Sequence, residues 1–166
     1  NSSFILEEIP FDEKILIKSR INFQYSGPNF ILPFENDPFR FVTPKNKRKI
    51  KKILEENPKK FELKMYKFNA KALKIAMDID ARSYRESKHI GTFKNKIDRI
   101  FFEQLMTRNK SSVGINILYF EKKPIAYEIG IRSKHTYHGL NKSFDISFSK
   151  LTPGKVLAYL LFEGLF

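Results

Sequence analysis

Seven residues, Val156 to Phe162 (VLAYLLF), carry no charge and only one polar atom, the Tyr159 hydroxyl. With Leu165 they leave no polar face at helical spacing, and a helix that is apolar all round must be covered on every side. The run is far shorter than the ~20 residues that span a bilayer, so protein has to cover it. The covering elements are expected either to lie outside this chain or to come from a neighbouring copy in a homo-oligomer. The entry to this helix is equally constrained. Thr152-Pro153-Gly154-Lys155 puts a good N-cap before a proline whose missing N–H costs nothing at the first helical position. Gly154 and Lys155 are then expected to present bare N–H groups at the positive end of the helix dipole, which suits an anion or a phosphate. An ordinary capped helix start is the alternative reading.

The rest of the chain supplies sheet and more helix. Residues 4–9 read as a strand, 11–21 as a short helix, 24–29 (QYSGPN) as a linker, and 30–34 as a brief apolar run kept irregular by Pro33 and Pro38. Thr43-Pro44 opens a helix to about Glu56, with Ile50, Ile53 and Leu54 on one face. Residues 61–68 alternate as a strand, with Phe61, Leu63 and Met65 inward. Asn69 caps a long helix running to Lys88, in which Leu73, Ala76, Met77, Asp80, Ala81 and Tyr84 share a stripe; Gly91 ends it. A further helix over 94–108 turns Ile97, Ile100, Phe101 and Leu105 inward. The period then changes to two. Strands are expected over 113–120, 125–132 and 135–141, with Ile125, Tyr127, Ile129 and Ile131 on one face of the second and Ala126, Glu128, Gly130 and Arg132 on the other. An antiparallel meander therefore leads into a polar loop at Asp145 and the last helix.

Composition excludes several chemistries. No cysteine means no disulfide, thiolate metal site or cysteine nucleophile. His135 and His138 have opposite strand parity and cannot chelate one metal, and no other cluster has metal spacing, so no metal is expected. There is no nucleophile elbow, Walker loop or transmembrane segment, and no signal peptide is visible. The reading is a cytoplasmic protein whose Asn1 is not the native start. The formal charge of +13 attracts polyanions. Six cations, Lys45, Lys47, Arg48, Lys49, Lys51 and Lys52, make one helix a candidate surface for tRNA or another polyanion. A bias toward Lys, Asn, Ile and Phe, with a solvated helix face, explains the same charge.

Helices, an antiparallel meander, an open helix start and a helix follow one another as they do in the GNAT superfamily of N-acyltransferases, which the chain resembles over about residues 30–166. The residues look closest to the cellulose-biosynthesis-type acetyltransferases related to the Fem aminoacyl transferases. Ser83-Tyr84-Arg85 with Gly91 is similar to that branch's Ser-Trp-Lys and Gly. Lys122-Lys123-Pro124-Ile125-Ala126 resembles its Gly-Lys/Arg-Pro-Ile/Val-Ala hairpin, Phe144-Asp145 its Tyr-Asp, and Leu151-Thr152-Pro153-Gly154 its Ser-Pro-Gly. Tyr84 stands where Trp is usual, and Pro153-Gly154 replaces the Q/R-x-x-G-x-G/A loop of the wider superfamily. The resemblance implies an α+β (mixed α/β) fold, with a central, mostly antiparallel sheet flanked by helices, in the second of two GNAT-like domains. Residues 1–29 are then the end of a preceding domain or a linker. Residues 30–166 form a GNAT-like domain incomplete at its C-terminus.

Acyl transfer requires the donor to be held, the nucleophile deprotonated and the thioester oxygen stabilised. The resemblance implies acetyl-CoA or another acyl-CoA as co-substrate, its pyrophosphate on the N–H groups of Gly154 and Lys155, with Ser149 and Thr152 adding hydroxyls. Glu128 is the first candidate base, placed mid-sheet where small neighbours leave room for an acceptor; a carboxylate on a wet sheet face is the alternative. Asp145 is second, or a cap. Asp80 is third, or a salt-bridged helix carboxylate. Three functions follow: an acyl-CoA transferase acting on an amine or hydroxyl of a sugar or cell-envelope precursor, a Fem-like aminoacyl-tRNA transferase, and a non-catalytic basic module binding a polyanion.

Overall fold

Thr43 and Pro44 open the first helix, α1 (Pro44–Glu56), where the Thr43 hydroxyl accepts the Asn46 N–H at 3.4 Å. The computed structural model describes residues 43–166, apart from 68, 89–90, 110–111, 133–136 and 166. The strand, helix, linker and apolar run expected before residue 43, the domain boundary near residue 30, and His89 and His135 lie outside the described residues. Strand β1 (Phe61–Lys67) leads to helix α2 (Ala70–Asp80), capped by Asn69, whose Oδ1 accepts the Lys71 N–H at 2.9 Å. A short helix α3 (Tyr84–Ser87), a 3-10 turn (Thr92–Lys94) and helix α4 (Lys96–Arg108) follow. Strands β2 (Val113–Phe120), β3 (Lys123–Arg132) and β4 (Tyr137–Phe144), a 3-10 helix (Ile146–Leu151) and helix α5 (Pro153–Leu165) complete the order.

The sheet is antiparallel throughout, in the order β1-β2-β3-β4. Each face carries its own apolar cluster. On one, Val113, Ile115 and Ile117 of β2 and Tyr127 and Ile129 of β3 pack against Leu73, Ala76 and Ile79 of α2 and Phe102 and Met106 of α4. On the other, Leu118 and Ala126 meet Ile50 and Ile53 of α1 and Val156, Leu157 and Leu161 of α5. Each of the Val, Leu, Ile, Phe and Met side chains among them, withdrawn fully from water, contributes about 1.5–3 kcal/mol. The α+β class that the resemblance implies is the class observed.

Several local expectations are corrected. The long helix after Asn69 is two, because Ser83 starts a new one: its Oγ accepts the Glu86 N–H at 3.3 Å, and Tyr84 lies exposed instead of on the core stripe. Helix α4 is rotated from its expected phase. Phe102 and Met106 are buried, Phe101 and Leu105 are partly buried against the same cluster, as expected, and Ile97 and Ile100 are exposed. Met65 is exposed because β1 is an edge strand and the helix residue beside it, Gly164, has no side chain to cover it. Ile125 packs with the opposite cluster from Tyr127. The register slips there, with Leu118 facing Ala126 and Tyr119 facing Pro124, so Ile125 is the extra residue of a bulge. The third meander strand, described from Tyr137, ends at Phe144, later than expected. Its polar Asn141-Lys142-Ser143 stretch is paired strand, with a second slip at Leu140 between the pairs Ile129–Asn141 and Gly130–Gly139.

Helix α5 meets its need for cover largely within the chain, from the sheet on one side and Ile50 and Ile53 of α1 on another. Glu163 and Gly164 are its exposed C-terminal residues.

Candidate functional site

The chain turns at Thr152 in a way its sequence does not advertise. Thr152 is the C-cap of the 3-10 helix, in the left-handed region at φ 46° and ψ 54°. A β-branched residue is rarely found there, and such positions cost of order 1–3 kcal/mol. The Thr152 carbonyl accepts the N–H groups of Lys155 (2.9 Å) and Val156 (3.2 Å), as an N-cap carbonyl does. Its hydroxyl does not cap, because capping needs an extended backbone. Thr152 Oγ1 is instead buried without a hydrogen-bond partner, a state that normally costs about 1–3 kcal/mol. Lys155's N–H is therefore not bare, as the sequence led one to expect. Gly154's N–H has no bond among the described residues and is the open amide of the first turn. The Lys155 Nζ reaches Asn46 Oδ1 of α1 at 2.8 Å.

This corner opens on a cavity of about 660 Å³. Ser149, Thr152, Gly154 and Lys155 form one wall, and Glu128 with Lys142 of β4 forms another. Arg85 and Tyr84 of α3 stand on a third. Three cations, Arg85, Lys142 and Lys155, thus share a mostly apolar hollow beside β4, the last strand of the described sheet.

Glu128 is only 6% exposed, so the wet-face alternative does not hold. Burial pushes its carboxyl above the ordinary carboxylate range, against a hydrogen bond from Tyr137 and the charge of Lys142. The space above the glycines beside Glu128 is taken by the protein itself. A Cβ on Gly130 would meet the Tyr137 hydroxyl and ring, and a Cβ on Gly139 would come within 3.0 Å of Glu128 Oε1. The glycines make space for a tyrosine and a carboxylate of the protein itself. Asn116 of β2, directly opposite Glu128, donates from Nδ2 to the Tyr137 hydroxyl at 2.8 Å.

The other two carboxylates lie elsewhere. Asp145 is 2% exposed and caps the 3-10 helix, accepting the Ser147 N–H at 3.0 Å and the Ser147 hydroxyl at 2.6 Å. Arg82 Nε approaches it at 2.7 Å. Burial alone would raise its pKa, but the bonds from Ser147 and Arg82 outweigh burial and hold it below the ordinary value. Asp80, equally buried, accepts the Phe93 N–H at 3.2 Å and lies 3.2 Å from the Tyr127 hydroxyl, beneath the opposite sheet face. Neither carboxylate lines the cavity. Tyr127 has one proton and two oxygen neighbours, Asp80 Oδ1 and Asn141 Oδ1, the latter at 2.5 Å. The 2.5 Å contact has the length of an O–H···O bond, so the proton goes to Asn141 Oδ1, and Asn141 Nδ2 in turn donates to Thr92 Oγ1 at 2.8 Å.

Sequence reasoning missed Lys142 and Tyr137. Their approach to Glu128 depends on strand register, although the glycines at 130 and 139 were a visible sign that something large lay over the sheet. Among the described residues, no three His, Asp or Glu side chains converge as metal ligands do, and no helix is long and apolar enough to cross a membrane. A family model described as an acetyltransferase (GNAT) domain matches residues 45–166, well over half of the chain. No curated protein matches it.

Proposed function

The chain belongs to the family of GNAT acetyltransferase domains, and from that premise we propose that it transfers an acyl group from acyl-CoA to an amine or hydroxyl of a sugar or cell-envelope precursor. Domains of this family are transferases with acyl-CoA as co-substrate. The finer likeness, to the cellulose-biosynthesis and Fem branches, rests on the ordered motifs from Ser83 to Gly154 and suggests the acceptor class.

The observation that carries the reading is the corner itself. A buried hydroxyl without a partner, an open helix amide and a strained backbone are all unfavourable in the free protein, and the two residues that carry them, Thr152 and Gly154, line one cavity. A phosphate oxygen there would satisfy Thr152 Oγ1 and Gly154 N–H together, with Lys155 and Arg85 adding charge. The buried Glu128 would accept the proton of the incoming amine or hydroxyl as its N or O bonds to the thioester carbon. The C–S bond then breaks and the CoA thiolate leaves, taking a proton from solvent, while Glu128 returns its own.

The test is thermal unfolding with acetyl-CoA. At a hundred times Kd the ligand adds about 2.7 kcal/mol, a rise in Tm of roughly 5–10 °C for a chain of this size. Thr152→Val removes only the hydroxyl. It should leave the free protein as stable or more so and shrink the acetyl-CoA shift. An unchanged shift would remove Thr152 from the donor site, and no shift in the wild type would count against acyl-CoA as donor.

A second reading has one observation in its favour: Asn46, which holds Lys155 at the cavity wall, belongs to the helix that carries the six cations of α1. An aminoacyl-tRNA donor would use both. It predicts stabilisation by tRNA and none by acetyl-CoA, with binding that falls steeply as salt rises.

A further inference from the structure

Resting on the assignment of Glu128 as the base, we propose that Tyr137 is its positioning residue: pinned by Asn116, the Tyr137 hydroxyl directs its proton at the Glu128 carboxylate and holds it ionised and in place for the acceptor. The geometry is a closed chain across three strands. Asn116 on β2 faces Glu128 on β3, Tyr137 reaches over Gly130 from β4 to bond Asn116, and the Glu128 carboxylate, to which the Tyr137 hydroxyl is hydrogen-bonded, lies over Gly139, the residue paired with Gly130. Asn116 is 5% exposed and Glu128 6%, so water does not substitute freely for a lost partner.

Direction follows from proton count. The Asn116 NH2 can only donate, and it donates to the Tyr137 oxygen at 2.8 Å. The phenol has a single proton, and with Asn116 as donor that proton goes to the remaining neighbour, Glu128. An ionised carboxylate accepts it. A protonated Glu128 would have to offer its own proton to a phenol oxygen already receiving one, and the phenol proton would lose its acceptor. The chain therefore favours the ionised form, against the burial that opposes it.

Other groups set limits on this effect. Lys142, paired opposite Glu128 on β4, acts in the same sense. The remaining titratable side chains on the cavity wall are Tyr127 on β3, Tyr84 and Arg85 on α3, and Lys155 on α5. The Tyr127 hydroxyl lies between Asp80 and Asn141 on the other sheet face, and β2 contributes Asn116.

The test uses the whole 166-residue chain, labelled so that its side-chain carboxyl carbons are visible by NMR, and three variants. Tyr137→Phe keeps the ring over Gly130 and removes the hydroxyl. Asn116→Leu keeps the shape and frees the phenol. Glu128→Gln identifies the Glu128 signal. Folding is checked by the dispersion of amide signals. Both the Phe and Leu variants should titrate Glu128 at higher pH than the wild type. Release of CoA thiol from acetyl-CoA, with a panel of amino sugars as acceptors, should show the acidic limb of kcat/KM moving to higher pH alongside. At neutral pH kcat should fall about tenfold, with KM for acetyl-CoA little changed. A Glu128 titration identical in wild type and Tyr137→Phe overturns the proposal. So does an unmoved acidic limb while Glu128→Gln is inactive. Full activity in Glu128→Gln is a different failure: it removes the base assignment on which the proposal stands. If Tyr137→Phe does not fold, Asn116→Leu gives the same readouts.

Discussion

A carboxylate buried to 6% exposure is an expensive residue for a sheet to carry, and Glu128 carries its cost in a pH-dependent way. Burial raises its folded-state pKa above the ordinary 4.5, with Tyr137 and Lys142 opposing. The folded state then holds the Glu128 proton more tightly than the unfolded state does, so stability must fall as pH rises between the unfolded and folded values. Below the ordinary carboxylate value both states are protonated and the effect vanishes. Above the raised value the destabilisation is complete and constant. Glu128→Gln removes this titration while leaving an amide that can still meet the Tyr137 hydroxyl. The difference in Tm between variant and wild type should therefore shift in the variant's favour from about pH 4 upward and then level off. A difference that is flat with pH, or moves the other way, would mean that the carboxylate is solvated in solution. Asp145 is the contrast within the same molecule. Its pKa is lowered, so its ionised form stabilises the fold above the ordinary value, and that contribution is lost as pH falls through the lowered one.

At the scale of elements, the start of α5 separates what the fold needs from what a ligand needs. An N-terminal turn usually takes Gly for steric reasons only when something presses on it. At Gly154 nothing does: an added Cβ would meet Phe144 Cδ1 at 3.7 Å, an ordinary contact, and Gly154 is not among the glycines with positive φ. Alanine should therefore be tolerated, and helix propensity favours it by up to about 1 kcal/mol. If the open amide of Gly154 receives a phosphate, the methyl group crowds that approach. Gly154→Ala should raise or preserve the Tm of the free protein and weaken acetyl-CoA binding about tenfold, read by calorimetry. Wild-type affinity in a stable Ala variant would take the anion away from this turn. Helix α4 teaches a different lesson about elements. Its sequence holds two overlapping apolar stripes, one through Ile97 and Ile100 and one through Phe102 and Met106, and only packing against β2 and α2 selects the second. Helical periodicity gives the existence of such a helix and leaves its rotation open.

Across the whole molecule, what could be read from the residues was whatever depends on neighbours in sequence. The Thr43-Pro44 start, the alternation of the meander and the polar-to-apolar switch at Pro153 are local signals, and the elements they announce are present. Five of the seven candidate site residues, Glu128, Ser149, Thr152, Gly154 and Lys155, line one cavity. The tyrosine over Gly130, the lysine opposite Glu128 and the bulges at Ile125 and Leu140 depend on register between strands, which one chain pattern does not specify. The role of the net charge of +13 is also a question for the whole molecule, and it can be decided by distance. At 0.15 M salt the Debye length is about 8 Å, so exposed charges on α1 beyond that distance are largely screened from a small ligand in the cavity, whereas a lysine on its wall is not. With acyl-CoA as donor, the triple reversal Lys45→Glu, Arg48→Glu, Lys51→Glu should change acetyl-CoA affinity by less than about threefold, while Lys155→Ala weakens it about tenfold. A long polyanion inverts the order. It would contact α1 directly, lose most of its affinity on the triple reversal, and show a dependence on salt proportional to the phosphates neutralised. Measuring acetyl-CoA and tRNA against both variants at two salt concentrations separates the cases. Acetyl-CoA binding that collapses with the α1 reversal and ignores Lys155 would place the donor on the helix surface, outside the cavity.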